Sequence, residues 1–132
     1  MQITGAAISI NVADPAASAA FVTRHFGFTE VMSADGFVSL AHKDLGFNLV
    51  YLRTGLASLQ PESLKQQSVA GLLVAFEVTD IAAEYDRLRN DGVEITTELQ
   101  TEPWGERFFQ VTDPNGVILQ LVQWMGKPGE QG

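Results

Sequence analysis

One pattern occurs twice in this chain, and it limits the folds open to it more than any other feature. An alternating apolar strand leads into an Asp-capped helix, a glycine stops the helix, and three short strands follow. In the first copy Ile8, Ile10 and Val12 alternate with Ala7, Ser9 and Asn11 in a strand expected over Ile3–Val12. Asp14-Pro15 supplies a capping carboxylate and a proline at the first helical position, and Gly27 ends the helix. Strands are expected at Phe28–Met32, Gly36–Ala41 and Phe47–Leu52. In the second copy Val74, Phe76 and Val78 alternate with Leu73, Ala75 and Glu77 over Gly71–Val78. Asp80 caps a helix striped by Ile81, Tyr85 and Leu88, Gly92 closes it, and strands follow at Val93–Glu98 and in a hairpin over Trp104–Val122. Cap and stop are thirteen residues apart in the first copy and twelve in the second.

Two such units imply an α+β fold, a single domain over residues 1–132 built from two βαβββ modules, 1–52 and 71–124. Residues 53–70 read as a linker, rich in Ser and Gln, with Gly55 and a helical turn at Pro61–Gln67; residues 125–132 read as a frayed polar tail. Each helix covers one face of a small sheet. The opposite faces are expected to curve around a cleft.

The hairpin decides which side chains reach that cleft. Asp113-Pro114-Asn115-Gly116 is a tight-turn sequence, with Gly116 at the left-handed position. A two-residue loop would turn Arg107 and Phe109 toward the cleft. A three-residue loop with Gly116 as a bulge would turn Phe108 and Gln110 there, beside Gln120. The second arrangement is the expected one, because Phe109 and Val111 then join Leu119 and Leu121 on the helix side. The cleft lining follows as Phe108, Gln110, Gln120 and Val122 from one half, with Ser9, Asn11, Asn48 and Val50 from the other. Glu77 shares a strand face with Leu73 and Ala75; a rim carboxylate, an anchor for a cationic ligand and a general base all remain open for it.

Several functions are excluded or disfavoured. The 132 residues contain no cysteine, which removes disulfide frameworks, thiolate zinc sites and a cysteine nucleophile. The formal charge of −8 argues against nucleic acid and anionic membranes; it reads first as plain solubility, and it favours cationic small molecules if any are bound. Neither a signal peptide nor a membrane span is evident, so a soluble cytoplasmic protein is expected. No phosphate loop or nucleophile elbow is present. His25, at a helix end, is expected to be partly exposed, and His42, at a turn, to face water.

The two βαβββ units, the Val12-Ala13-Asp14-Pro15…His25-Phe26-Gly27-Phe28 entry and the Asp113-Pro114-Asn115-Gly116 turn resemble the vicinal oxygen chelate superfamily. This group includes glyoxalase I, extradiol dioxygenases and bleomycin-resistance-type binding proteins. The resemblance covers Ile3 to about Trp124 and speaks for the fold more than for a function. Metal-dependent members carry four His or Glu ligands, and carrying their positions over gives Ala7, Asn48, Leu73 and Gln120. None of these is a carboxylate or an imidazole, so no metal and no other cofactor is expected. The Trp104-Gly105-Glu106-Arg107 run resembles the matching strand of the drug-sequestering members, which implies Trp104 either as a stacking platform or as packing for the strand entry. The family also implies a homodimer, with modules paired or exchanged between chains.

The resulting expectation is a metal-free binding protein for an aromatic or cationic small molecule, with antibiotic sequestration as its concrete form. An enzyme of the same superfamily is the alternative: a lyase, isomerase or dioxygenase, either metal-dependent with displaced ligands or metal-independent with Glu77 or Glu106 as base.

Overall fold

A computed structural model describes residues 1–57, 61–67 and 71–125. The chain falls into two compact units, Met1–Ser68 and Val69–Gly132. Each holds a four-stranded mixed sheet and one α-helix, the α+β repeat anticipated above.

In the first unit β1 (Ala7–Val12), α1 (Pro15–Phe26), β2 (Thr29–Ala34), β3 (Phe37–Ala41) and β4 (Asn48–Arg53) form a sheet of order β1-β4-β3-β2. β1 runs parallel to β4, and the remaining neighbours are antiparallel. The Asp14 carboxylate accepts a hydrogen bond from Ala17 N at 3.3 Å, and Gly27 closes the helix at φ 76°. Ile10, Val12, Val22, Leu40, Leu49 and Tyr51 are buried between helix and sheet. β2 is exposed along its whole length, and its pairing slips between Glu30 and Met32.

The second unit repeats the scheme. β5 (Val74–Glu77), α2 (Ile81–Asn90), β6 (Ile95–Thr101), β7 (Glu106–Thr112) and β8 (Ile118–Trp124) give the order β5-β8-β7-β6, with β5 parallel to β8. Asp80 accepts from Ala83 N at 3.2 Å, as Asp14 does in its own helix. Gln123 adds a second fastening: its Oε1 accepts from Ile81 N at 3.0 Å and its Nε2 donates to Thr79 O at 2.8 Å. Ile81, Leu88, Phe109, Val111, Leu119 and Leu121 form the core, and the Tyr85 ring meets Phe109 edge to face at 5.1 Å.

Three expected elements change. The first strand starts at Ala7, not Ile3, and Ile3 is exposed. β1 is as long as its partner allows, since Ala7 pairs with Asn48, the first residue of β4. β5 is four residues long, which leaves Leu73 outside it. The presumed linker is tied to the first unit: Gly55 N donates to Lys65 O at 2.6 Å, a 3-10 turn spans Glu62–Lys65, and the Asn11 amide donates to Leu64 O. The rest of the linker reading, at 58–60 and 68–70, and the frayed-tail reading at 126–132 lie outside the described residues.

Candidate functional site

The β7–β8 hairpin sets the geometry. Asp113 is buried, and its Oδ1 accepts from Asn115 N at 2.8 Å and Val117 N at 2.9 Å. Asp113 N donates to Val117 O, Gly116 N donates to Asp113 O, and Gly116 has φ 84°. The loop is therefore Pro114-Asn115-Gly116, three residues with a left-handed glycine bulge. Register follows from it: Phe108 pairs with Val122, and Gln110 with Gln120. Phe109 and Val111 turn to the helix side and are fully buried.

The sheet face away from α2 thus carries Phe108 and Gln110 from β7, Gln120 and Val122 from β8, and Ala75 and Glu77 from β5. A ladder of hydrogen bonds crosses it. Thr97 Oγ1 donates to Gln110 Oε1 at 2.7 Å, and Gln110 Nε2 donates to Gln120 Oε1 at 2.9 Å. Gln120 Nε2 donates to Glu106 Oε2 at a longer 3.4 Å. From the other side Trp104 Nε1 donates to Glu106 Oε1 at 3.1 Å.

The direction of this ladder is fixed by charge. An ionised carboxylate only accepts, so Gln120 must turn its NH2 to Glu106 and its carbonyl to Gln110. Gln110 must then present its NH2 to Gln120 and its carbonyl to the Thr97 hydroxyl. One carboxylate orients two amides and a hydroxyl. The second N–H of each glutamine is not used within the ladder, so the face offers donors at its centre and an acceptor at Glu106. Trp124 pairs with Glu106 across the strands, and both Trp104 and Trp124 are about half exposed.

The first unit has its own open face. Ala7 stands beside Asn48, Ser9 beside Val50, and Asn11 beside Leu52. Asn11 spends its amide donors on Leu64 O and, at 3.5 Å, on Gln66 O. Elsewhere in this unit Arg53 binds Asp35 through both carboxylate oxygens, at 2.9 and 3.3 Å, and holds its carboxyl below the usual range. A cavity of about 370 Å³ opens there, between this ion pair and the Asp14-Pro15 entry to α1. It contains none of the expected binding residues.

The expected site residues therefore fall into two groups. Glu77, Phe108, Gln110, Gln120 and Val122 share one face of the second sheet, with Trp104 hydrogen-bonded into it. Ser9, Asn11, Asn48 and Val50 share one face of the first. Glu77 is exposed and lies beside Val122 at the end of β5, outside the ladder. Sequence reasoning weighed Glu106 only as a base and passed over Thr97 and Trp124. Glu106 lies two residues from Phe108, and Trp124 two from Val122, so period-two alternation already placed both on this face.

Of the four positions carried over from metal-dependent members, Ala7 and Asn48 stand side by side on β1 and β4, Gln120 stands beside Ala75 on β8 and β5, and Leu73 lies just before β5. None of the four is a carboxylate or an imidazole, and these side chains do not fit a divalent ion. Among the described residues no group of three or more His, Cys, Asp and Glu side chains is placed to hold one.

Both histidines also differ from expectation. His25 is buried, its ring 4.9 Å from Phe21, because it continues the α1 stripe of Ser18 and Val22. His42 is only 20% exposed: it stacks edge-on against Phe28 at 5.2 Å, and its Nδ1 accepts from Asp44 N at 3.1 Å. Both are structural parts of the first unit.

Comparison with known proteins gives concordant results. The profile of the Glyoxalase/Bleomycin resistance protein/Dioxygenase superfamily matches residues 5–121. Proteins of Mycobacterium bovis and Mycobacterium tuberculosis are 35% identical over 69 residues, 52% of this chain. That match spans only 43% and 39% of their lengths. Among solved structures, a glyoxalase/bleomycin resistance protein/dioxygenase from Nocardioides superposes with a TM-score of 0.77 at 24% identity, covering 100% of this chain and 91% of that one. TioX from a Micromonospora species superposes at 0.74 with 20% identity, covering 92% and 99% of the two chains. TnmS3, an antibiotic binding protein from a Streptomyces species, superposes at 0.71 with 24% identity, covering 94% and 98%. At these identities the structural matches speak for the fold alone. Among the described residues no helix is long and apolar enough to cross a membrane.

Proposed function

The chain belongs to the Glyoxalase/Bleomycin resistance protein/Dioxygenase superfamily, and we propose that it is a metal-free member that binds a planar small molecule. The ligand meets the face of the second sheet away from α2, with part-exposed Phe108 as its apolar contact and Gln110 as hydrogen-bond donor, backed by buried Val122 and Gln120. Antibiotic sequestration is the concrete form of this reading, in a cytoplasmic homodimer. The antibiotic-binding relative TnmS3 supports it by analogy.

The observation that carries the proposal is the amide ladder. A sheet face built only for stability would bury apolar side chains there, because oriented polar groups cost desolvation when covered. Here Gln120, only 7% exposed, is held in one orientation by its neighbours. That is the preorganisation a binding site requires. The neutral donors at the metal positions point away from metal-assisted chemistry.

Two measurements test the proposal together. Thermal unfolding is followed against a panel of planar antibiotics, both neutral and cationic. A ligand present at a hundred times its Kd stabilises the native state by about 2.7 kcal/mol, enough to raise the Tm by a few degrees. Metal content is measured on protein purified without chelator. A Tm rise with at least one planar compound and metal far below one equivalent are expected. No shift across the panel, or stoichiometric Ni, Zn, Mn or Fe, overturns the reading.

A further inference from the structure

We propose that Glu106 is the charge anchor of this site, and that the ligand class is a planar aromatic cation whose positive nitrogen docks between Trp104 and Trp124. This rests on the binding reading above and narrows it to one sign of charge.

Three observations converge on that carboxylate. First, every donor in the ladder points toward it, so the face concentrates negative charge at one end. Second, each of its oxygens receives one hydrogen bond, Oε1 from Trp104 and Oε2 from Gln120, while an ionised carboxylate has about four acceptor sites. Capacity remains for an incoming N–H. No Lys or Arg is paired with Glu106 among the described residues, although Asp35, Glu62 and Glu84 each have such a partner. Third, two indoles flank it, one by hydrogen bond and one by strand pairing, and both leave about half their surface open. A cation is attracted both by the carboxylate and by indole faces. A neutral ligand would use only the rings, and an anion would be repelled by Glu106 and by a chain of charge −8.

Glu77 does not match this description. It stands on the edge strand beside Val122, with no indole paired to it. The anchor belongs to β7.

The chain's own fluorescence reads the site, because Trp104 and Trp124 are its only tryptophans. The probes are three tricyclic compounds of similar shape: proflavine (cationic), acridone (neutral) and anthraquinone sulfonate (anionic). Quenching of tryptophan emission and calorimetric titration give Kd for each, with wild-type protein, Glu106→Gln, and Glu30→Gln. The last removes one charge from the exposed β2 edge and controls for net charge. Wild type is expected to bind proflavine at least ten-fold more tightly than acridone and to bind the sulfonate most weakly. Glu106→Gln is expected to lose that ten-fold preference, binding proflavine no more tightly than acridone, and Glu30→Gln to behave as wild type. If Glu106→Gln does not fold, Glu106→Ala is read the same way. Equal proflavine affinity in wild type and the Glu106 variant overturns the anchor, as does an equal loss in Glu30→Gln. When proflavine affinity is equal in wild type and the Glu106 variant, acridone binding in both leaves the binding site standing without the charge assignment. Failure of all three probes overturns the binding site itself.

Discussion

Replacing Gln120 by Leu removes the middle of the ladder while keeping side-chain bulk. Two hydrogen bonds go, Gln110 Nε2 to Gln120 Oε1 at 2.9 Å and Gln120 Nε2 to Glu106 Oε2 at 3.4 Å. A neutral hydrogen bond of good geometry contributes about 0.5–1.5 kcal/mol net, and the 3.4 Å contact contributes toward the low end of that range. Gln110 and Glu106 are part-exposed and regain some hydration, which lowers the cost. Burying a leucine where a glutamine stood returns a fraction in the other direction. The balance is a loss of about 1 kcal/mol for Q120L. Removing both amides should cost less than the two single changes added together, since neither leaves the other unsatisfied. The coupling in a Q110L, Q120L and Q110L/Q120L cycle is expected at about 0.5–1 kcal/mol. Urea unfolding followed by tryptophan emission measures it, with midpoints compared only at equal m-value. Additive variants, or a Q120L protein more stable than wild type, would refute the cooperative ladder and with it the case that charge orients the amides.

Phe109→Ala empties a fully buried site against Tyr85 and is expected to cost about 3–5 kcal/mol, read by the same unfolding experiment. Asp113→Ala removes the acceptor for two backbone N–H groups in the hairpin loop; a cost of about 2 kcal/mol is expected, together with weaker ligand binding as Phe108 and Val122 lose register. The Asp35–Arg53 pair gives an acid-side signature. Because the folded state lowers the Asp35 pKa below its ordinary 3.8, its contribution is present above that value and fades as pH falls through the lower folded one. The Tm difference between wild type and Asp35→Asn is therefore expected to close below about pH 4, and a difference unchanged down to pH 2 contradicts it. Tyr85 gives the opposite sign: its hydrogen bond to the Glu98 carboxylate raises its pKa above 10.0, so that stabilisation holds below pH 10.0 and is lost as pH rises through the folded value. Tyr85→Phe is expected to flatten this alkaline limb in a Tm–pH scan.

Local chemistry was the legible part of the sequence. Asp14 and Asp80 announce their helices because a carboxylate before a helical run satisfies free N–H groups. Asp113 to Gly116 announces a three-residue loop, and the loop sets the faces of Phe108, Gln110 and Gln120. Strand lengths were not legible, because a strand lasts only as long as its partner. Ile3 has the pattern of a strand residue and no residue of β4 to pair with. Leu73 has the alternation of a strand residue, whereas β5 begins one residue later, at Val74. The burial of His25 was available from its three-residue spacing to Val22, but a polar residue at a helix end invites an exposed reading. Glu106 was visible as a residue on the right face; that it governs the ladder emerges only from cross-strand register.

The two sheets also share an asymmetry at their rims. β2 and β6, each at the far end of its meander, carry slipped registers, between Glu30 and Met32 in one and at Thr97 in the other. The opposite rims, β1 and β5, pair without a slip. Irregular rims are poor templates for a foreign strand. Any polymer that tried to grow by zipping backbone to backbone would meet one closed end per sheet and stop. Stocks held at high concentration should therefore stay clear of thioflavin-positive fibres.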